Sequence, residues 1–503
     1  MKTGCEIRDE GLPSLRWVLA WLVIAFTSQS AILNGQATAP ARAQPRPNIL
    51  FIMVDDLRPE LGCYGQPLVR SPHIDALAAS AIQFNRAYCM VPTCGASRAS
   101  LMTGLRPHPT RFVKHGARIN REAPRALSLH TCLQQAGYTT VSLGKVIHHP
   151  DDQQGGWSIP PWRPEKGVSM DDDDLTVGGG RGAPNPNWAG PAFAAVDDDD
   201  GALVDVEIAA RAIGHLQQLS ASDKPFFLAV GFIRPHLPFL APRTSWELYD
   251  ALKFAIPSHI PSPGIPRQAL HNFAELRNYQ GIPKTGPLGE DLSRQLIHGY
   301  CASVSFVDVQ VGRVLDELER LKLADNTIVV LWGDHGWNLG EHGLWCKHCC
   351  FETSMRIPLI IRVPGRPTGV QVDGLVETID LYPTLCELAG VAAPQYLHGR
   401  SFAAALHQPA TIGKGYAIGR YDQGDTIRTE HYRYTEYRDH PAGEITARML
   451  FDHRRDPDEL DNLADRGEYQ QLIALLSKQL HAVIDPLPSE RLPVPPQRPR
   501  RGR

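Results

Sequence analysis

Asn48-Ile49-Leu50-Phe51-Ile52-Met53-Val54-Asp55-Asp56 is an unbroken apolar run that stops at two carboxylates. A strand buried on both faces of a parallel sheet reads this way, because neither face meets water. The two carboxylates then stand at its C-terminal end. Three later runs repeat the pattern: Thr139 to Leu143 before Gly144-Lys145, Phe226 to Gly231 before Arg234-Pro235-His236, and Thr327 to Trp332 before Gly333-Asp334-His335. Between them the apolar spacing is helical over Ile74 to Phe84, Ser128 to Ala136, Leu203 to Leu219 and Leu292 to Leu321. Alternating strands and helices predict an open α/β sheet, which binds ligands outside the carboxyl ends of its strands.

Outside this grammar the texture changes. After Gly399, Thr426 to Tyr437 alternates β-formers with charged residues, Met449 to Asp452 reads as a short strand, and Glu468 to Ile484 as an amphipathic helix. That predicts a small antiparallel sheet carrying a helix. The expected division is a catalytic domain over residues 44–413, a C-terminal α+β subdomain over 414–486 and an extended Pro/Arg-rich tail over 487–503. Residues 151–200 are rich in Gly, Pro and Asp. Their two four-aspartate runs, Asp171 to Asp174 and Asp197 to Asp200, lack spaced calcium ligands and read as a solvated insertion. The Pro257 to Leu288 connection, with many prolines and glycines, reads as part of a binding rim.

At the N-terminus, Arg8 and Arg16 precede the apolar run Trp17 to Phe26 and a small, polar stretch from Thr27 to Ala43. A run this short does not span a bilayer comfortably, so residues 1–43 read as a secretory signal peptide. The cleavage point is open between Ser28 to Ala31 and Ala41-Arg42-Ala43. The expected location is exported (periplasmic, secreted or lumenal), with no stable membrane insertion after cleavage. The chain has 503 residues, 43% of them hydrophobic and 21% charged, enough for a large globular core. Its formal net charge is -3, and no basic stripe precedes Arg498 to Arg503, which argues against a nucleic-acid partner. Cys346, Cys349 and Cys350 surround His348, but adjacent cysteines suit one zinc tetrahedron poorly, so a disulfide or buried thiols are expected there.

Cys94-Gly95-Ala96-Ser97-Arg98-Ala99-Ser100-Leu101-Met102-Thr103-Gly104 carries most of the chemistry. Cys94 stands where a loop gives way to a helix of small residues, and Arg98 shares its helix face. A helix N-terminus and a guanidinium both favour a polarised nucleophile. Asp55-Asp56 and Asp334-His335 offer hard oxygen ligands and an imidazole for a divalent cation, although spacing alone leaves their convergence open.

The Cys94 to Gly104 segment closely resembles the type I sulfatase signature. In that family the cysteine is oxidised to formylglycine, whose hydrate attacks sulfur through one hydroxyl and expels sulfate through the other, by way of a covalent sulfoenzyme. Ala96 stands where the family has proline, one of the positions read by the formylglycine-generating maturation enzyme. The resemblance implies an alkaline-phosphatase-like fold with a large mixed sheet. It also implies a calcium ion held by Asp55, Asp56, Asp334, His335 and the formylglycine from Cys94. Gly144-Lys145-Val146-Ile147-His148 resembles the family element whose lysine and histidine flank the sulfate. His148 fits its spacing better than His149. Arg234-Pro235-His236-Leu237-Pro238-Phe239 resembles the strand end whose histidine faces the leaving group, and Lys347 matches a sulfate-binding lysine. By the same resemblance Cys94, Arg98, His148, His236 and Asp334 are catalytic, and Lys145, His148, His236 and Lys347 bind substrate. Gly333 to Trp337, Leu339 to Gly343, Ala302 to Asp308 and Ile427 to Tyr434 look most like the iduronate-2-sulfatase branch. That branch implies a sulfated carbohydrate substrate, a 2-O-sulfated uronic acid. Two other readings are a phosphatase or phosphodiesterase of the same superfold, and an unmatured carbohydrate-binding protein.

Overall fold

In Asn48–Val54 (β1) every residue is buried, and the alternation of the strand divides them between two cores. Ile49, Phe51 and Met53 enter one apolar cluster, and Leu50, Ile52 and Val54 the other. The first cluster is completed by the helices Cys94–Thr103, Leu129–Gln135 and Leu381–Leu388, and the second by Pro72–Ala79, Val204–Ser220 and Glu290–Arg320. The result is three layers, helices on both faces of one sheet. The computed structural model describes residues 46–66, 69–164, 190–197, 203–257, 260–439 and 443–486. The signal-peptide segment, Asp171 to Asp174, residues 198–200 and the 487–503 tail lie outside the described residues.

The sheet also holds Ile82–Tyr88 (β2), Thr139–Gly144 (β3), Phe226–Phe232 (β4), Thr327–Gly333 (β5), Arg356–Arg362 (β6), Val370–Val372 (β7) and Val376–Glu377 (β8). Its order is β7-β2-β6-β5-β1-β4-β3, with β8 also pairing β2. The strands β3, β4, β1 and β5 are mutually parallel, while β6 runs antiparallel to β5 and β2, so the sheet is mixed. Register brings the functional edge into line. Val54 is level with Phe232 and Gly333, and Gly144 with Gly231. Four strand ends therefore deliver Asp55, Lys145, the Arg234 to His236 turn and Asp334 to one edge.

Two sequence expectations change. The helical pattern from Ile74 ends at Ala79, and Ile82 to Phe84 belong to β2; the apolar residues on both sides of the turn happen to keep helical spacing. The strand β6 was not foreseen, because Arg356 to Arg362 follows no turn signal that separates it from the loop before it. Farther on, Tyr416–Tyr421 (β9), Gly424–Thr429 (β10), Tyr432–Arg438 (β11) and Ile445–Asp452 (β12) form an antiparallel sheet in that order. The helix Gln470–Ile484 covers one face through Ile473, Leu476 and Leu480. Tyr437, Met449 and Phe451 on the other face meet Leu344 and Phe351 of the larger unit.

Candidate active site

Cys94 opens its helix, directly after Thr93 in extended conformation. The turn is tight: a side chain at Gly95 would meet the His115 carbonyl oxygen at 1.8 Å. Cys94 is fully buried, with Sγ 3.3 Å from His335 Nε2 and 4.0 Å from Asp56 Oδ1. One helical turn on, Arg98 donates through Nη2 to Asp55 Oδ1 and through Nε to Asp334 Oδ2, both at 3.0 Å, and also to the Lys145 carbonyl. Its charge is thus committed to carboxylates. Burial, and then Asp55, push the Cys94 thiol well up, against the pull of Lys145 and Lys347. A protonated buried thiol is a poor nucleophile.

The carboxylates meet as a cluster. Asp334 Oδ1 accepts from the Asp56 and His335 amides at 3.0 and 3.1 Å, and Ser97 Oγ donates to the Asp334 carbonyl at 2.5 Å. Asp56 sits at a left-handed φ of 59°, which turns its side chain back toward the strand ends. Burial acts to raise Asp55, but Lys145 and Arg98 outweigh it and hold that carboxyl well below the usual range. Burial raises Asp56 well above it despite Lys347, with Asp55 and Glu275 adding to the rise. Asp334 is pushed up to about 7, by burial and then by Asp55. Ligand atoms of Asp55, Cys94, Asp334 and His335 lie within 4.8 Å of one another, as do those of Asp55, Asp56, Cys94 and His236. Carboxylates that repel one another around an imidazole suit a hard divalent cation, so the donor set fits a bound metal ion.

Cations ring this cluster. Lys145 pairs with Asp55 Oδ2, and Lys347 Nζ lies 3.1 Å from Asp56 Oδ1 and over the Trp337 ring at 4.8 Å from its centroid. Burial opposes the charge on Lys145, yet Asp55 raises its pKa to about 12. His236 donates through Nδ1 to the Leu237 carbonyl at 2.6 Å, leaving Nε2 3.9 Å from Asp56 Oδ2. His148 is buried against His115 and His149, with ring centroids 4.3 and 4.6 Å apart, and burial and His115 push its pKa well down. The contacts bring Asp55, Asp56, Cys94, Arg98, Lys145, His236, Asp334, His335 and Lys347 together, and place His148 against His115 and His149.

Several lining residues were not named from the sequence. Glu275 reaches Lys347 and His236 from the Pro257 to Leu288 connection. Thr93 Oγ1 lies 3.3 Å from His115 Nδ1 and 3.5 Å from His348 Nε2, and His348 packs near Tyr421 of the C-terminal sheet. No periodicity marks these positions; only the reading of the connection as a rim pointed toward Glu275. Of the two expectations for the cysteines around His348, buried free thiols are found: Cys346, Cys349 and Cys350 form no disulfide.

A profile described as "Sulfatase" matches residues 47–391, and one described as "N-sulphoglucosamine sulphohydrolase, C-terminal" matches residues 340–485. The chain belongs to the sulfatase family and is a sulfuric ester hydrolase. It is 36% identical over 386 residues to iduronate 2-sulfatase of Mus musculus, spanning 69% of each chain. To iduronate 2-sulfatase of Homo sapiens it is 34% identical over 415 residues, spanning 75% of this chain and 74% of the relative. A phosphonate monoester hydrolase of Agrobacterium radiobacter shares the fold with a TM-score of 0.70 at 22% identity, covering 87% of this chain and 95% of that one.

Proposed function

We propose that this sulfatase removes 2-O-sulfate from a uronic acid of a sulfated carbohydrate, using formylglycine made from Cys94. The observation that carries the reading is the convergence of Lys145, Lys347 and His236 on the carboxylate cluster beside Cys94. Three cationic or proton-bearing groups beside a nucleophile match a sulfate ester, whose oxygens carry charge and whose alkoxide needs a proton.

Asp55, Asp56, Asp334, His335 and the matured Cys94 would hold one calcium ion, which supplies positive charge against sulfate oxygens. The hydrated aldehyde supplies the attacking hydroxyl and a second hydroxyl for releasing sulfate. Arg98 fixes Asp55 and Asp334, and Asp334 helps to activate the attacking hydroxyl. Lys145 and Lys347 face the non-bridging oxygens. Either His236 or Lys347 delivers a proton to the leaving sugar oxygen. His148, kept neutral by burial, accepts the proton lost when sulfate departs.

Around this site we propose a catalytic domain over residues 44–413, a subdomain over 414–486, export through the 1–43 segment and maturation by a formylglycine-generating enzyme. N-terminal sequencing of exported protein would check the cleavage. A phosphatase or phosphonate hydrolase of the shared fold is the second reading, but its two-metal forms need a second cation, which the ammonium groups of Lys145 and Lys347 on Asp55 and Asp56 disfavour by charge. Sulfate release from defined 2-O- and 6-O-sulfated sugars, beside phosphate release from an aryl phosphate, tests both. Faster cleavage of 2-O-sulfated uronates is expected, and preferred phosphate release would sink the proposal. Mass spectrometry of the Cys94 peptide tests maturation; binding of sulfated oligosaccharide without turnover would instead favour the unmatured binding protein.

A further inference from the structure

Glu275 lies on a short helical turn, Ala274–Arg277, and its carboxylate is only 2% exposed. Its Oε1 stands 2.9 Å from Lys347 Nζ and 3.2 Å from His236 Nε2, the two groups assigned to the leaving oxygen. The connection around it is built to keep it there. Phe273 holds a left-handed φ of 42°, a conformation unfavourable for a residue with a side chain. Arg277 lies over the Phe273 ring at 3.9 Å and donates to the carbonyls of Asn272 at 2.8 Å, Gly286 at 2.6 Å and Pro283. The nearest arginine in sequence is therefore committed to backbone, and Glu275 is left to pair with the site.

A carboxylate buried this deeply is unfavourable unless it is paired. Here the pairing also sets geometry. Since His236 Nδ1 faces a carbonyl, its ring is fixed with Nε2 toward Glu275, and Lys347 is held between Glu275, Asp56 and the Trp337 face. We propose that Glu275 is a positioning residue for sulfate-ester cleavage, holding Lys347 and His236 beside the leaving oxygen. As the bond from sulfur to the sugar oxygen breaks, its electron pair stays on that oxygen, which takes the proton from Lys347 or His236. Glu275 keeps its charge and transfers no proton. The inference rests on the leaving-group roles proposed above.

The test is kcat for Glu275→Gln and Glu275→Asp on sulfate esters of graded leaving-group acidity, from a sugar 2-sulfate through phenyl sulfate to nitrophenyl sulfate. Nitrophenolate leaves without a proton and a sugar alkoxide does not. Glu275→Gln should lose on the order of 100-fold on the sugar sulfate while staying within about threefold on nitrophenyl sulfate, and Glu275→Asp, which keeps the charge but falls one methylene short, should lose about tenfold on the sugar sulfate alone. Equal losses on all esters, or none on any, overturn the inference. Should the Gln variant fail to fold, the same ratio is read from Glu275→Asp, where a ratio equal to that of the wild type overturns it. A wild-type enzyme with formylglycine in place that cleaves none of these esters overturns the functional reading and this inference with it.

Discussion

Arg98 shows how one side chain sets the site. It is 1% exposed and joins Asp55 to Asp334, which arrive on neighbouring parallel strands far apart in sequence. Lysine keeps the charge but cannot fork between two carboxylates. Arg98→Lys should therefore lower kcat on the order of 100-fold while the fold persists, as steady-state kinetics beside circular dichroism would show. Ala96 is the second informative residue. It is buried in the first turn of the Cys94–Thr103 helix, where a backbone amide needs no helical acceptor and proline is tolerated. Ala96→Pro should raise the fraction of Cys94 converted to formylglycine, read by mass spectrometry of the tryptic peptide; an unchanged fraction would show that this position does not limit conversion.

Among elements, the parallel strands were legible because burial on both faces leaves an unbroken apolar run, and because each ends at ionisable residues that mark the catalytic edge. The reading failed where that contrast was missing. Ile82–Tyr88 carries Gln83, Asn85 and Arg86 inside a strand, and Gln83 is satisfied by donating to the Cys63 carbonyl at 3.0 Å, a partner invisible in the local sequence. The site followed the same rule. Asp55, Lys145, His236 and Asp334 sit at strand ends and could be named, whereas Glu275 and His115 come from irregular connections whose course depends on tertiary contacts. Strand ends also impose close packing: a side chain on Gly231 would meet the Lys145 carbonyl carbon and oxygen at 2.2 Å. Backbone yields poorly, so Gly231→Ala should cost about 1–3 kcal/mol in urea unfolding. It should also displace Lys145, lowering kcat/KM beyond what the stability loss explains.

At the scale of the whole molecule, Glu377 ties the large sheet to the C-terminal one. It accepts from Arg106 Nη1 at 2.6 Å and from the Ile418 amide at 2.7 Å, and it pairs with Lys414. Burial acts to raise its carboxyl, but Arg106 and Lys414 bring it from 4.5 down to about 2. A depressed carboxyl stabilises fully above its unfolded value and loses that contribution as pH falls through its folded value. The wild-type melting temperature should therefore drop between pH 4.5 and about 2, and its advantage over Glu377→Gln, large at pH 6, should shrink across that window. Metal removal acts on the molecule in a similar way. Stripping the site with a chelator should abolish turnover and lower the melting temperature, because Asp55, Asp56 and Asp334 are then left facing one another.

The complete burial of Cys94 bears on when this enzyme can become active. Another protein cannot reach a sulfur enclosed by Asp56, His335 and its own helix, so the proposed conversion would have to precede closure of the sheet around it. With maturation as proposed, activity would be decided during synthesis, molecule by molecule, and a folded chain that escaped conversion would stay silent for life. Incubating purified, folded protein with the maturing enzyme should leave its specific activity unchanged, whereas supplying that enzyme during expression should raise it.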